Sequence, residues 1–148
     1  MGNYTNRADD APAYRLDAEG GERLRIGDFE VVIRASADTT GGAFTVFEER
    51  DPVDTPLHVH AHEDELFYVL EGEHVFQVGD EELRVGPGGV VFAPRGVPHA
   101  QRRVVPRTGR VLAMTSPAGF EGFFRELATG EPDAYARASR NHGITWLG

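Results

Sequence analysis

The chain has 148 residues with 40% hydrophobic and 26% charged content and a net charge of −9, the size and make-up of one ordinary domain with a core of its own. It has no cysteine and no lysine, all 15 basic residues being arginine, which excludes disulfides, thiolate-held zinc and lysine Schiff-base chemistry. Acidic residues are spread along the chain without a basic stripe, which argues against nucleic acid or an acidic lipid surface as partner, and no apolar run approaches the roughly 18 residues of a membrane span. The polar, acidic start lacks the pattern of a secretory signal, so a cytoplasmic location is expected.

In chain order, residues 1–13 read as a flexible N-terminal arm. From 14 to 116 the chain is a series of short apolar runs broken by Gly, Pro and Asp. Strands are predicted over 22–26, 30–35, 43–48, 57–60, 65–71, 74–78, 81–85, 90–93, 99–104 and 111–115. The separators include Gly79-Asp80, Gly86-Pro87-Gly88-Gly89 and Pro94-Arg95-Gly96. Many short strands with turn signals at this spacing imply an all-β sandwich or barrel. The period then changes. Phe120, Phe123, Phe124 and Leu127 recur at i, i+3, i+4 and i+7, one face of a short helix. Its expected limits are Ser116-Pro117 and Gly130. A second helix is predicted over 132–141, closed by Gly143, and residues 117–148 as a whole are expected to pack on the barrel. Ile144, Trp146 and Leu147 form an apolar tail that needs a surface to cover it.

Three of the six histidines fall in Leu57-His58-Val59-His60-Ala61-His62, and Glu65 follows. Strand alternation puts His58 and His60 on one face, about 7 Å apart. A hairpin to the next strand brings Glu65 beside them, and His99 follows the turn Pro94–Pro98. Imidazole and carboxylate without thiolate suit Fe, Mn, Ni, Co or Zn. Alternating histidines equally fit an ordinary polar strand face.

More of the pattern is present. His58-Val59-His60, four residues, Glu65, six residues and Gly72 resemble the first motif of the cupin superfamily. Gly88, five residues and Pro94-Arg95-Gly96-Val97-Pro98-His99 resemble the second, with fifteen residues between the motifs. Pro52 and Arg103 depart from the glycine and asparagine usual at those places. The resemblance implies a double-stranded β-helix, the cupin jelly-roll barrel, with one or two short C-terminal helices. It also implies one divalent metal per chain on His58, His60, Glu65 and His99, with Glu65 either a ligand or a free catalytic base. At finer grain, Pro56–His60, Glu63–Gly72 and the tail from Ser116 resemble bacterial quercetin dioxygenase-like cupins, a branch that includes aromatic polyketide cyclases.

That resemblance implies a metal-dependent enzyme acting on a small aromatic, phenolic or enolic compound, with oxidation by dioxygen placed first. A polyketide cyclase performing aldol cyclisation and dehydration is the alternative, and a non-catalytic small-molecule binder a second one. A homodimer is the expected assembly. His62 shares the parity of His58 and His60 and is a candidate extra ligand or substrate contact. Phe67, Phe76, Phe92, Met114, Phe120 and Phe124, with Phe123, are candidates for lining an apolar pocket, though core packing explains them too. Glu63 and Asp64 read as solvated turn acids, His74 as a packed or surface residue, His142 as a helix-end residue, and Arg95 and Arg103 as surface charges or anion contacts.

Overall fold

The computed structural model describes residues 11–105 and 108–148, so the first ten positions of the expected N-terminal arm lie outside the described residues. The strands are β1 (Glu22–Ile26), β2 (Phe29–Ala35), β3 (Thr45–Arg50), β4 (His58–His60), β5 (Asp64–Glu71), β6 (His74–Val78), β7 (Glu81–Val85), β8 (Val90–Ala93), β9 (His99–Arg103), β10 (Arg110–Ser116) and β11 (Ile144–Trp146). The helices are α1 (Ala37–Thr40), α2 (Glu121–Leu127) and α3 (Ala134–His142). A six-stranded sheet runs β1-β2-β3-β10-β5-β8 and a five-stranded sheet β11-β4-β9-β6-β7, and every pairing is antiparallel. This is the jelly-roll arrangement expected, mostly β with short helices. Among the described residues no helix is long and apolar enough to cross a membrane.

Side-chain alternation builds the interior. β2 contributes Val31 and Ile33, β3 contributes Phe47, β5 contributes Phe67 and Val69, β8 contributes Val91 and Ala93, and β10 contributes Val111 and Ala113. Register brings these into rows across the sheet. Ala113 lies opposite both Phe47 and Phe67, and Val111 opposite both Glu49 and Val69. The helices close one side of this core. Phe47 meets Phe124 at a centroid distance of 4.7 Å and Phe120 at 6.0 Å, a gain beyond area burial for edge-to-face pairs.

All ten predicted strands are present, with local shifts. The third starts at Thr45 rather than 43, because the Thr40 hydroxyl accepts from the Ala43 and Phe44 amides and holds the turn two residues longer. The first predicted helix starts only at Glu121. Gly119 sits at φ 125°, outside helical space, and the Glu121 carboxylate ties the start of α2 to the Gly119 amide, the Ala37 amide and the Thr45 hydroxyl. The second helix runs over 134–142 and ends, as expected, at Gly143, with φ 65° in the left-handed region. The apolar tail is a strand, β11, that pairs with β4 and so covers the edge beside the histidines.

One charged cluster sits on the other face of the six-stranded sheet. Glu48 is 1% exposed and accepts from Arg34 at 2.6 Å, Arg50 at 3.0 Å and Arg110 at 2.7 Å. Arg34 also donates to the carbonyls of Asp17, Ala18 and Gly20, strapping the N-terminal segment across the sheet. Burial alone would raise the Glu48 carboxyl, but the guanidinium hydrogen bonds win and hold it down at about 2. Because this is below its ordinary value of 4.5, the contribution to stability is complete above pH 4.5 and lost as pH falls toward about 2. Glu48→Ala should destabilise the fold by about 3 kcal/mol, since it leaves three arginines without their shared acceptor. Glu48→Gln should flatten the acid limb of the stability curve. Urea unfolding at pH 7 and pH 3 measures both effects.

Candidate metal centre and its cavity

β4 is only three residues long, yet it carries two of the site's imidazoles on its inner face. His58 lies directly opposite His99 of β9. The turn before His99 is fastened to the same strand, because the Gly96 amide donates to the His60 carbonyl at 2.9 Å. Gly96 has φ 78°, the left-handed region that favours glycine. Gly72, the last position of the first motif, has φ 80°, and a Cβ there would stand 3.0 Å from the Gly109 backbone.

These constraints gather His58, His60 and His99, all at most 8% exposed, so that one ring nitrogen from each lies within 4.8 Å of the others. Among the described residues this is the group able to hold a metal ion. Glu65, 4% exposed, places its Oε2 3.3 Å from His60 Nε2 and 3.1 Å from His99 Nε2. Two donors each about 2.1 Å from one cation stand about 3.0 Å apart at a right angle and 3.4 Å apart at a tetrahedral angle, so Glu65 Oε2 stands to His60 and to His99 at the spacing of two donors on one divalent ion. His58 Nδ1 donates to the Pro56 carbonyl at 2.8 Å, which leaves Nε2 with its lone pair facing the cluster.

Burial and the two carboxylates set the electrostatics of the cluster. Burial, then the neighbouring charge of His99, push the His58 imidazole down to about 4, so it is neutral and ready to bind a cation. Burial would also lower His60, but the Glu65 and Glu63 carboxylates outweigh it and raise it. Burial would raise Glu65, and His60 and His99 together bring it below its usual value.

Glu63 departs from the sequence expectation. It is 6% exposed and binds His60 Nδ1 at 2.6 Å, because the tight turn after β4 folds it back under the strand it has just left. It is a support for His60, while its neighbour Asp64 pairs outward with Arg95. His62 does not join the cluster. It is exposed and packs near Gly143, because the chain leaves strand geometry after His60 and parity no longer applies. His74 is fully buried against the Glu71 carbonyl, His142 lies beside Glu126 in the last turn of α3, and Arg103 pairs with Asp54. None of these lines the cavity.

That cavity, about 520 Å³ of empty space including its opening, reaches from the histidines into the barrel. Phe67, Phe120 and Phe124 line it as expected, together with Phe123. Phe76, Phe92 and Met114 do not. Phe76 is core, 1% exposed. Phe92 is 55% exposed on the outer side of β8, where Val91 and Ala93 take the inward positions. Met114 likewise alternates outward between Ala113 and Thr115. Glu49, Gln101, Trp146 and Phe29 line the cavity without having been singled out. Glu49 and Gln101 show the signal that strand parity offers, sitting two residues beyond Phe47 and His99.

Replacing His99 by Ala should abolish stoichiometric binding of added Co or Zn. Glu63→Gln should weaken it about 10–100-fold while leaving one equivalent bound at saturation. Competition with a chelator, read by elemental analysis, distinguishes the two.

Among known proteins, a cupin domain profile matches residues 47–114. Quercetin 2,3-dioxygenase of Bacillus subtilis is 31% identical over 134 residues, 89% of this chain, while the chain spans 39% of that protein's length. The barrel superposes on KdgF from Halomonas sp. with a TM-score of 0.61, at 21% identity over 74% of this chain and 99% of that one. It also superposes on an RmlC-like cupin from Shewanella frigidimarina at 0.58, with 22% identity over 74% of this chain and 95% of that one. The nucleoside dehydratase PAC13 gives 0.59, at 16% identity over 74% and 87%. Two spaced motifs, the matching profile, the dioxygenase relative and the shared barrel lead to one statement: this chain belongs to the cupin superfamily.

Proposed function

We propose that the protein is a metal-dependent enzyme that oxidises a small phenolic or enolic compound with dioxygen, as the name of its Bacillus subtilis relative describes for quercetin. The observation that carries this reading is a three-histidine, one-carboxylate cluster opening directly into an aromatic-walled cavity. A divalent metal at His58, His60, His99 and Glu65 would supply Lewis acidity and a fixed place for a substrate oxygen.

The chain's own residues do the rest. Phe67, Phe120 and Phe124 offer ring faces and edges to a flat ligand and keep bulk water from it. Trp146, with its ring 5.0 Å from that of His58, covers the histidines from the side of β11. The Glu65 carboxylate, close through Oε2 to both His60 and His99, would take a hydroxyl proton from the substrate on its other oxygen. The proposed assembly remains a homodimer, supported by the exposed Tyr68, Val90 and Phe92 on the outer side of the six-stranded sheet.

The test is oxygen uptake with quercetin as probe by protein loaded in turn with Fe, Mn, Ni and Co. Consumption of one oxygen molecule per quercetin is expected, falling at least 100-fold in Glu65→Ala. Product formation that persists under strict anaerobiosis overturns the oxygenase reading in favour of cyclisation, and binding without turnover favours a non-catalytic binder.

A further inference from the structure

Apart from Thr55, whose hydroxyl accepts from the Gln101 backbone amide, and Trp146, whose indole N–H donates to Ser139, the polar groups of the cavity fall into two separate sets. The first is the histidine cluster with Glu65. The second is Glu49 and Gln101, and nothing in the fold requires either to be polar. Glu49 is 6% exposed and lines the cavity, and its carboxyl has no hydrogen bond or ion pair among the described residues. Its sheet neighbours are Val31 and Val111, so it stands in an apolar row. Gln101 is 4% exposed, and its Nε2 is buried without a partner. Buried polar atoms are normally satisfied, so an orphaned amide nitrogen and an unbonded carboxyl lining one cavity call for an explanation.

Register places this pair away from the histidines. Thr45, Thr115 and Glu65 form one row across the sheet, and Glu49, Val111 and Val69 another. Four residues separate the rows, about 13 Å along the strands. Gln101 is two residues beyond His99 on β9, about 7 Å. Both displacements run the same way. The Glu71 end of β5 meets His74 of β6, and His74 lies opposite Arg103, farther along β9 than Gln101.

We propose that Glu49 and Gln101 form a second polar subsite that binds a hydroxyl or carbonyl oxygen of the ligand, remote from the oxygen facing the histidines. The ligand class is then a flat apolar frame with oxygen functions at both ends, and this pair discriminates it from frames oxygenated at one end only. The inference extends the small-phenol reading above to a specific pair of contacts. Gln101 Nε2 donates, and the Glu49 carboxyl supplies an acceptor and, when protonated, a donor. Burial and the charge of Glu65 push that carboxyl up to about 8, consistent with a neutral group in an apolar row.

The test is calorimetric binding of 2-naphthol and 2,6-dihydroxynaphthalene to the zinc-loaded protein, with no oxygen chemistry involved. The wild type should prefer the diol by about tenfold, the worth of a good buried hydrogen bond. Glu49→Leu and Gln101→Leu should each bring the preference below about threefold while leaving 2-naphthol affinity unchanged. Glu49→Gln should retain most of it. Glu49→Leu should melt at or above the wild-type temperature, because it removes a buried unbonded carboxyl. The proposal is overturned if the wild type binds neither probe or does not discriminate between them. It is overturned equally if Glu49→Leu weakens both probes alike and melts lower, the mark of a structural role. Absence of oxygen uptake with quercetin would sink the oxygenase reading and leave this ratio intact, so the two failures are separable.

Discussion

Three imidazoles with converging nitrogens, sealed inside a barrel beside a carboxylate, are the constraint around which the rest of the structure is arranged. Groups of this kind lose hydration on burial and regain it only through partners. The fold provides such partners on the outer nitrogens of His58 and His60, while His99 Nδ1 is buried without one. The Pro56 carbonyl takes one from His58 and the Glu63 carboxylate takes one from His60. What remains is a set of inward ring nitrogens, with Glu65 beside those of His60 and His99, which a cation would share. The arrangement depends on a strand of three residues, held in place by β11 on one edge, by His58 opposite His99 on the other, and by the Gly96 amide at its end.

The C-terminal segment is therefore part of the site. α2 brings Phe120 within 4.8 Å of the His60 ring and stacks it against Phe123 at 5.1 Å. β11 brings Trp146 against His58. Ion pairs on the far face have a different task. Glu48 and its three arginines bind the N-terminal segment to the sheet without reaching the cavity, so the charge that stabilises the barrel and the charge that serves the site are kept on opposite faces of β3.

Strand parity made much of this legible from the amino acids. His58 and His60 alternate with Val59, and the spaced motifs carried Glu65 and His99, so the cluster was visible before any coordinates. Parity also explains the misses. His62 has the right spacing, but the strand has already ended, so spacing no longer fixes direction. Glu63 reads as a turn acid because nothing local shows that the turn folds back beneath His60. Phe92 and Met114 read as lining because they are large and apolar, whereas their strands point smaller residues inward and the outer face around β5 and β8 carries apolar side chains of its own, Tyr68 and Val90 among them. Glu49 and Gln101 went unnoticed because a single polar residue on an inner face looks like any other until a cavity opens in front of it.

The central claim is that this cluster is a metal site with Glu65 as one of its donors. Crystals of the protein exposed to Co or Ni, with diffraction recorded on either side of the metal's absorption edge, test it most directly. The account predicts one anomalous peak within about 2.3 Å of the nearer ring nitrogens of His58, His60 and His99 and of a Glu65 oxygen. A peak elsewhere on the chain, or a fully loaded site in which Glu65 turns away and another side chain takes its place, would contradict it.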